Sequence, residues 1–477
     1  MMINDIQRTK IVATIGPVSA KPMKLKMMYK AGMSIARLNG SHNSLDWHIN
    51  TIELIRKTLP ELPILLDIPG KKIRTSVLKY EPSFNNLDEI TLTTENGFDG
   101  RKKISITSSD LHKYIKKGDV IYADDGTLKF TVKNVIDRDI IVIANSKGKL
   151  KSSKGINVPH ITLEGKLITE RDKKMIKFAK EVNVDYVGIS FVESALHIKK
   201  IRKLINSENP KIIAKVENKK GIENLEEIVK ETDVIMIDRG DLSTETNIES
   251  LAINQKQIIN KSLKFAKPVI VATEMLDNMI LNSYPTKAEV LDISNSILDG
   301  ATATMLSGET AVGKYPIESI QVMSKISKSS IMHRDHIFFG EDNKTKSDVF
   351  GSANAIKDLC LSLPITKIIT ITVTGFAARI ISSQMLPQPI LAISNNKNSA
   401  RSLNLLSGTK GIYYDTKFYK DSLEHIPKCL FYLWKTKNIL SNDMILLTAL
   451  GYPGSGRRMN IIQTHYVNDL TKTFSWK

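Results

Sequence analysis

Eight short apolar runs rich in β-branched residues recur along the chain, each separated from the next by a segment of helix length or longer. They read KIVATIG (10–16), SIARLN (34–39), PILLDI (63–68), DYVGIS (185–190), KIIAKV (211–216), DVIMIDRGD (233–241), PVIVAT (268–273) and TATML (302–306). Runs without polar alternation suit strands buried on both faces, which requires a parallel sheet wrapped by helices. Eight such units predict an α/β fold built on a closed (β/α)8 TIM barrel.

The rhythm breaks over residues 75–164, where DVIYADDGTLKFTV and DIIVIANSKG alternate in polarity between Asp-Gly and Gly-Asp turns. This predicts a small all-β domain inserted after the third barrel strand, where a lid can close over the barrel mouth. After about residue 335, KIITITV, PILAIS, GIYYD, DMILLTAL and IIQTHYV alternate with helical segments. The expected organisation is a barrel over 1–74 and 165–335, a β lid over 75–164, and a C-terminal α/β domain over 336–477.

A net charge of +18 favours anionic substrates or nucleic acid. Lysines are spread along the chain, aromatics make up 6% and no basic arm is present, which argues against nucleic acid. No apolar run reaches the roughly 18 residues that span a bilayer. The start, MMINDIQRTKIVATIG, lacks a signal-peptide core, so a cytoplasmic protein away from membranes is expected. Cys360 and Cys429 form neither a metal-ligand pair nor a disulfide framework, in keeping with a reducing compartment.

Active sites of such barrels lie at the C-terminal ends of the strands. Polar residues recur there: Asn39 and Ser41, Asp67, Lys215 and Glu217, Asp241, Thr273, and Ser307 with Glu309. Each alone reads equally as a cap or turn residue. Lys215 and Glu217 are two apart, so both face the same side of their strand. With Asp241 from the next strand, two carboxylates can hold Mg²⁺ that completes its shell with water and substrate oxygens. The competing reading of Lys215 and Glu217 is a buried salt bridge.

In motif and order the chain resembles the pyruvate kinase family over nearly its whole length: TKIVATIGP, ARLNGSH, LLDIPGKKIR, DDG, KGINVP, KVEN, RGDL, VATEML and YPTKAEVLDISNSILDGATATMLSGETAVGKYP. The resemblance implies barrel, lid and C-terminal regulatory domains, and the reaction of phosphoenolpyruvate with ADP to give pyruvate and ATP in glycolysis. Carried over, Lys215 stabilises the transferring phosphoryl group and the enolate, while Glu217 and Asp241 bind Mg²⁺, or Mn²⁺ in its place. Arg37 contacts phosphate, and Thr273 with the N–H groups of Gly240 and Asp241 holds the substrate carboxylate. Thr273 and Ser307 end the proton path, and His42, Arg74 and Lys154 meet the nucleotide, with Asp125 on the lid. A homotetramer is also implied.

Three positions depart from the family pattern. Many members need K⁺ held at the positions of Asn39, Ser41, Asp67 and the Ile68 carbonyl, and they carry glutamate where this chain has Lys72. A tethered ammonium there resembles the branch that works without K⁺; the alternative is a solvent-facing Lys72. Asp238 replaces the usual alanine before RGD, and would repel an anionic substrate if it faced the pocket or pair with a lysine if it faced away. In the C-terminal domain TVTGFAA keeps Thr372, Thr374 and Gly375 of a phosphate loop but has Phe376, and Arg457 and Arg458 of GYPGSGRRMN complete a possible site for a phosphorylated effector. Competing expectations are an impaired relative, because of Asp238, or a (β/α)8 lyase.

Overall fold

The computed structural model describes residues 6–124, 126–159, 161, 167–338, 348–418, 422–449 and 459–476, with the side chains of 335–338 and 348–349 set aside. Eight parallel strands close a barrel: β1 (Lys10–Thr14), β2 (Ile35–Asn39), β3 (Ile64–Ile68), β4 (Tyr186–Ile189), β5 (Lys211–Val216), β6 (Val234–Asp238), β7 (Val269–Ala272) and β8 (Ala303–Leu306). Each of the eight apolar runs forms one strand. Alternate residues divide the core: Val12, Ile35, Leu65, Ile213, Met236 and Ile270 fill the interior, while Ile11, Ala36, Leu66 and Ile235 pack outward against helices. Helix starts are written locally; Thr169 with Asp172, and Thr286 with Glu289, form reciprocal capping boxes.

Between β3 and β4 the chain leaves the barrel to form a seven-stranded sheet, in which Ile73–Arg74 pairs with Gly155–Asn157 and the longest strands are Leu128–Ile136 and Asp139–Ala144. Its core of Ile104, Ile121, Phe130 and Ile140 is separate from that of the barrel. The C-terminal unit is a five-stranded sheet ordered Thr409–Tyr413, Ile390–Ser394, Lys367–Ile371, Met444–Ala449, Ile461–Tyr466, with the last strand antiparallel. It plugs the N-terminal end of the barrel: Leu405 joins the interior cluster, the Tyr186 hydroxyl donates to Ser402 O, and Arg401 pairs with Asp185 at 2.8 Å. The opposite end is left to the inserted sheet. Both cysteines are buried thiols.

Lys10 opens β1 at that plugged end, buried, with its ammonium donating to Thr409 O at 2.8 Å. Burial lowers its pKa from 10.5 to about 7. Between these values the folded chain binds fewer protons than the unfolded one, so the cost of this lysine is full below pH 7 and fades toward pH 10.5. Lys10→Met is therefore expected to stabilise by about 1–4 kcal/mol near pH 7 and less at pH 10. Thermal melts at the two pH values check this, and a lower Tm at pH 7 sinks it.

Candidate functional site

The C-terminal ends of the strands and the facing edge of the inserted sheet enclose a cavity of about 670 Å³. Arg37, Asn39, Asp67, Ile68, Lys215, Asp238, Thr273 and Ser307 reach it from the strands or the residue after them, and Ser41, His42, Lys72, Arg74, Lys154, Gly240 and Asp241 from loops, the inserted sheet and the helix after β6. Glu217 lies just behind the wall, fully buried. Residues spread over some 270 positions of sequence thus meet in one space. Asp125 and the Arg457–Arg458 pair lie outside the described residues.

Lys215 sits at the centre. Its ammonium is 2.7 Å from Glu217 Oε1, 3.0 Å from Asp238 Oδ2 and 3.3 Å from Asp67 Oδ2, with the Ser190 hydroxyl also at 3.3 Å. Burial favours the neutral amine, but three carboxylates outweigh it and hold the pKa well above 10.5. Asp67 also binds Arg37, whose Nη2 donates at 2.6 Å and whose Nη1 donates to Thr14 Oγ1 at 3.0 Å. The neighbour of Asp67 on β4 is Gly188, where a Cβ would come 2.6 Å from Asp67 Oδ1. Glycine there lets the carboxylate turn inward.

Glu217, Asp238 and Asp241 bring carboxylate oxygens within 4.8 Å of one another, all three buried. Such a hard, anionic, all-oxygen set suits a divalent cation of the Mg²⁺ type. Glu217 Oε2 accepts the Phe191 N–H at 2.6 Å, and burial pushes its pKa up to about 8. Asp238 goes the other way. Burial would raise it, but Lys215 and Lys72 outweigh burial and hold it below the ordinary carboxylate range. Lys72, with a side chain only 12% exposed, pairs with Asp241 Oδ1 at 2.6 Å, which excludes the solvent-facing alternative. Its stem lies over Gly155 of the insert, where a Cβ would meet Lys72 Cε at 2.5 Å. Asp238 combines both expected placements, lining the cavity and pairing with a lysine.

Thr273 and Glu274 have φ of 68° and 54°, a strained region for a β-branched residue. Arg239 holds this turn, donating to Thr273 O at 2.6 Å and Glu274 O at 3.0 Å while binding Asp292 at 2.6 Å. Thr273 Oγ1 in turn accepts the Gly240 N–H at 2.9 Å. Ser307 Oγ is buried without a hydrogen-bond partner among the described residues, and the Ser307 N–H donates to Glu309 Oε2 at 2.7 Å. Farther out, Arg74 donates to Ser153 O at 2.9 Å and reaches Ser41 Oγ at 3.4 Å, and Lys154 pairs with Asp124 at 2.6 Å. Burial, then Arg74, Arg37 and Lys154, depress the pKa of His42, keeping it neutral amid positive charge.

The family description "Pyruvate kinase, barrel domain" matches residues 6–320, and "Pyruvate kinase, alpha/beta domain" matches 352–465. The chain belongs to the pyruvate kinase family. The pyruvate kinases of Thermococcus litoralis and Clostridium perfringens are each 37% identical to it, over 94% of this chain and 95% and 97% of theirs. That of Thermotoga maritima is 36% identical over 96% of this chain and 99% of its own. Membership of the pyruvate kinase family makes the chain a phosphotransferase, and its closed barrel and C-terminal α/β unit are the family's domains.

Sequence reasoning passed over four residues that this cavity uses structurally. Ser190 and Thr14 end strands β4 and β1 as their assigned counterparts end other strands, so position alone could have flagged them. Arg239 lay between two acids in DRGDL. Asn157, in KGINVP, donates to Asp241 Oδ1 at 3.2 Å and Glu245 Oε1 at 2.8 Å, and no local pattern announces that contact across 84 residues.

Proposed function

We propose that this chain transfers the phosphoryl group of phosphoenolpyruvate to ADP, with Mg²⁺ bound by Glu217 and Asp241 and without a K⁺ requirement. The observation that carries the reading is the buried ammonium of Lys215 set against Glu217 and beside Arg37 in a cavity that also holds Thr273, in a chain of this family. The bond from phosphorus to the enol oxygen breaks as one forms to a terminal oxygen of ADP. The enolate left behind takes a proton at its methylene carbon and becomes pyruvate.

Each residue has a part in this scheme. Arg37 binds the phosphate, and Lys215 faces the charge that builds on the phosphoryl group and on the enolate oxygen, a role that pre-set cations perform without reorganisation. Thr273, with the N–H groups of Gly240 and Asp241, orients the substrate carboxylate. Thr273 and Ser307 carry the proton to carbon, Ser307 having a hydroxyl with no other partner among the described residues. His42, Arg74 and Lys154 bind the nucleotide phosphates. Glu217 and Asp241 would hold Mg²⁺, or Mn²⁺, which would supply positive charge to offset that of the phosphate.

K⁺ independence rests on Lys72, a half-buried ammonium on the same cavity wall as Asn39, Ser41, Asp67 and Ile68. A phosphorylated effector in the C-terminal domain is supported by Thr374, Gly375 and Phe376, which face a second cavity with Lys267 and Arg379. A cytoplasmic homotetramer completes the reading, and no helix among the described residues is long and apolar enough to cross a membrane.

One coupled assay tests the proposal. Pyruvate and ATP are expected in equal amounts from phosphoenolpyruvate and ADP, at a rate unchanged when K⁺ is replaced by tetramethylammonium. Collapse of kcat without K⁺ sinks the role given to Lys72. Pyruvate released with no ATP points to the lyase or hydrolytic alternative, and no pyruvate under any condition points to the impaired relative.

A further inference from the structure

Two departures from the family pattern, Lys72 and Asp238, turn out to be neighbours of one carboxylate cluster. Asp241 Oδ1 is taken twice, by the Lys72 ammonium at 2.6 Å and by the Asn157 amide at 3.2 Å. A carboxylate oxygen engaged by an ammonium is a poorer cation ligand, because the two positive charges repel. Asp238, three residues earlier, stands at the N-cap position of the helix Arg239–Glu245, where an aspartate side chain ordinarily binds the helix N–H groups. Here it makes no such hydrogen bond, and its carboxylate turns instead to Lys215 and to the space shared with Glu217 and Asp241.

The charge count explains the arrangement. With every group ionised, as cation binding requires, Glu217 and Asp241 against Lys215 and Lys72 sum to zero and the Asp67–Arg37 pair adds nothing, so the cluster has little field for a dication. Adding Asp238 leaves one net negative charge, together with a third carboxylate whose oxygen lies within 4.8 Å of the others. We infer that Asp238 is a compensating carboxylate, restoring the divalent-cation affinity that the Lys72–Asp241 ion pair removes. The inference rests on the proposed cation site at Glu217 and Asp241 and goes beyond it by making two unusual residues interdependent.

The test uses the full-length protein and Mn²⁺ alone, with no substrate and no K⁺. Free Mn²⁺ is followed by electron paramagnetic resonance for the unaltered chain, Glu217→Gln, Asp238→Ala, Lys72→Met and the Lys72→Met/Asp238→Ala double variant, each first checked by thermal melting. Glu217→Gln and Asp238→Ala are each expected to raise the Mn²⁺ Kd by about tenfold or more. Lys72→Met is expected to lower it, and in that background Asp238→Ala should cost at least about fivefold less than it does alone. If Asp238→Ala does not fold, the isosteric Asp238→Asn takes its place. A silent Asp238 variant beside a weakened Glu217→Gln overturns the compensation, as does an equal effect of Asp238→Ala in both backgrounds. A silent Glu217→Gln overturns the cation site itself, and with it the inference.

Discussion

Lys215→Met is expected to lower kcat by about 10³-fold or more. Methionine keeps the stem and roughly the volume of lysine and removes only the charge. What is lost is a cation held by Asp67, Glu217 and Asp238 without the freedom to move away as charge develops on the substrate. Two consequences must be separated, because removing one member of a buried ion network destabilises by about 3–5 kcal/mol. Burial already raises the pKa of Glu217, and without Lys215 it would take up a proton and soften that loss. A melt of the variant, read beside kcat and KM for phosphoenolpyruvate, distinguishes a folded but slow enzyme from an unfolded one. A folded Lys215→Met variant that retains kcat within about tenfold of the unaltered chain rules out the assigned role.

Removal of divalent cations is expected to have an effect at least as large. Treatment with a chelator should take turnover to background, and Mg²⁺ or Mn²⁺ should restore it. The carboxylates of Glu217, Asp238 and Asp241 otherwise face one another, with Lys215 and Lys72 to balance them. The same cation should raise Tm, because an ion that binds the folded state alone stabilises it by about 2.7 kcal/mol at a hundred times its Kd. Glu217→Gln should shift the Mg²⁺ needed for half-maximal rate upward by about 10- to 100-fold while leaving the maximal rate less affected. Full turnover after chelation would exclude a divalent cation from the reaction.

The barrel was legible because burial leaves a strong trace. A strand covered on both faces reads as a near-continuous apolar run, as PVIVAT does, and the recurrence of such runs between segments of helix length marks the barrel. The strand ends were legible for the complementary reason: polar residues such as Lys215, Glu217 and Asp67 interrupt apolar runs at places where the fold gathers them. What stayed hidden were contacts that depend on side-chain direction. Asp238 read as either facing the pocket or facing away, and the two were treated as exclusive. The structure has it face the pocket and pair with a lysine there, because Lys215 itself lies on the pocket wall. Lys72 was expected to act at the monovalent-cation position, and its ion pair proves to be with Asp241.

Sequence alone determined the order of elements, the interruption of the barrel by a β insert, and which residues could carry chemistry, since period and polarity are properties of neighbours along the chain. Only the tertiary structure decided which charges balance which. Lys72 meets Asp241 across 169 residues, and Asn157 reaches the same oxygen from the inserted sheet. The energy of a charge depends on distance and burial in space, and neither is written in the spacing of residues along the chain.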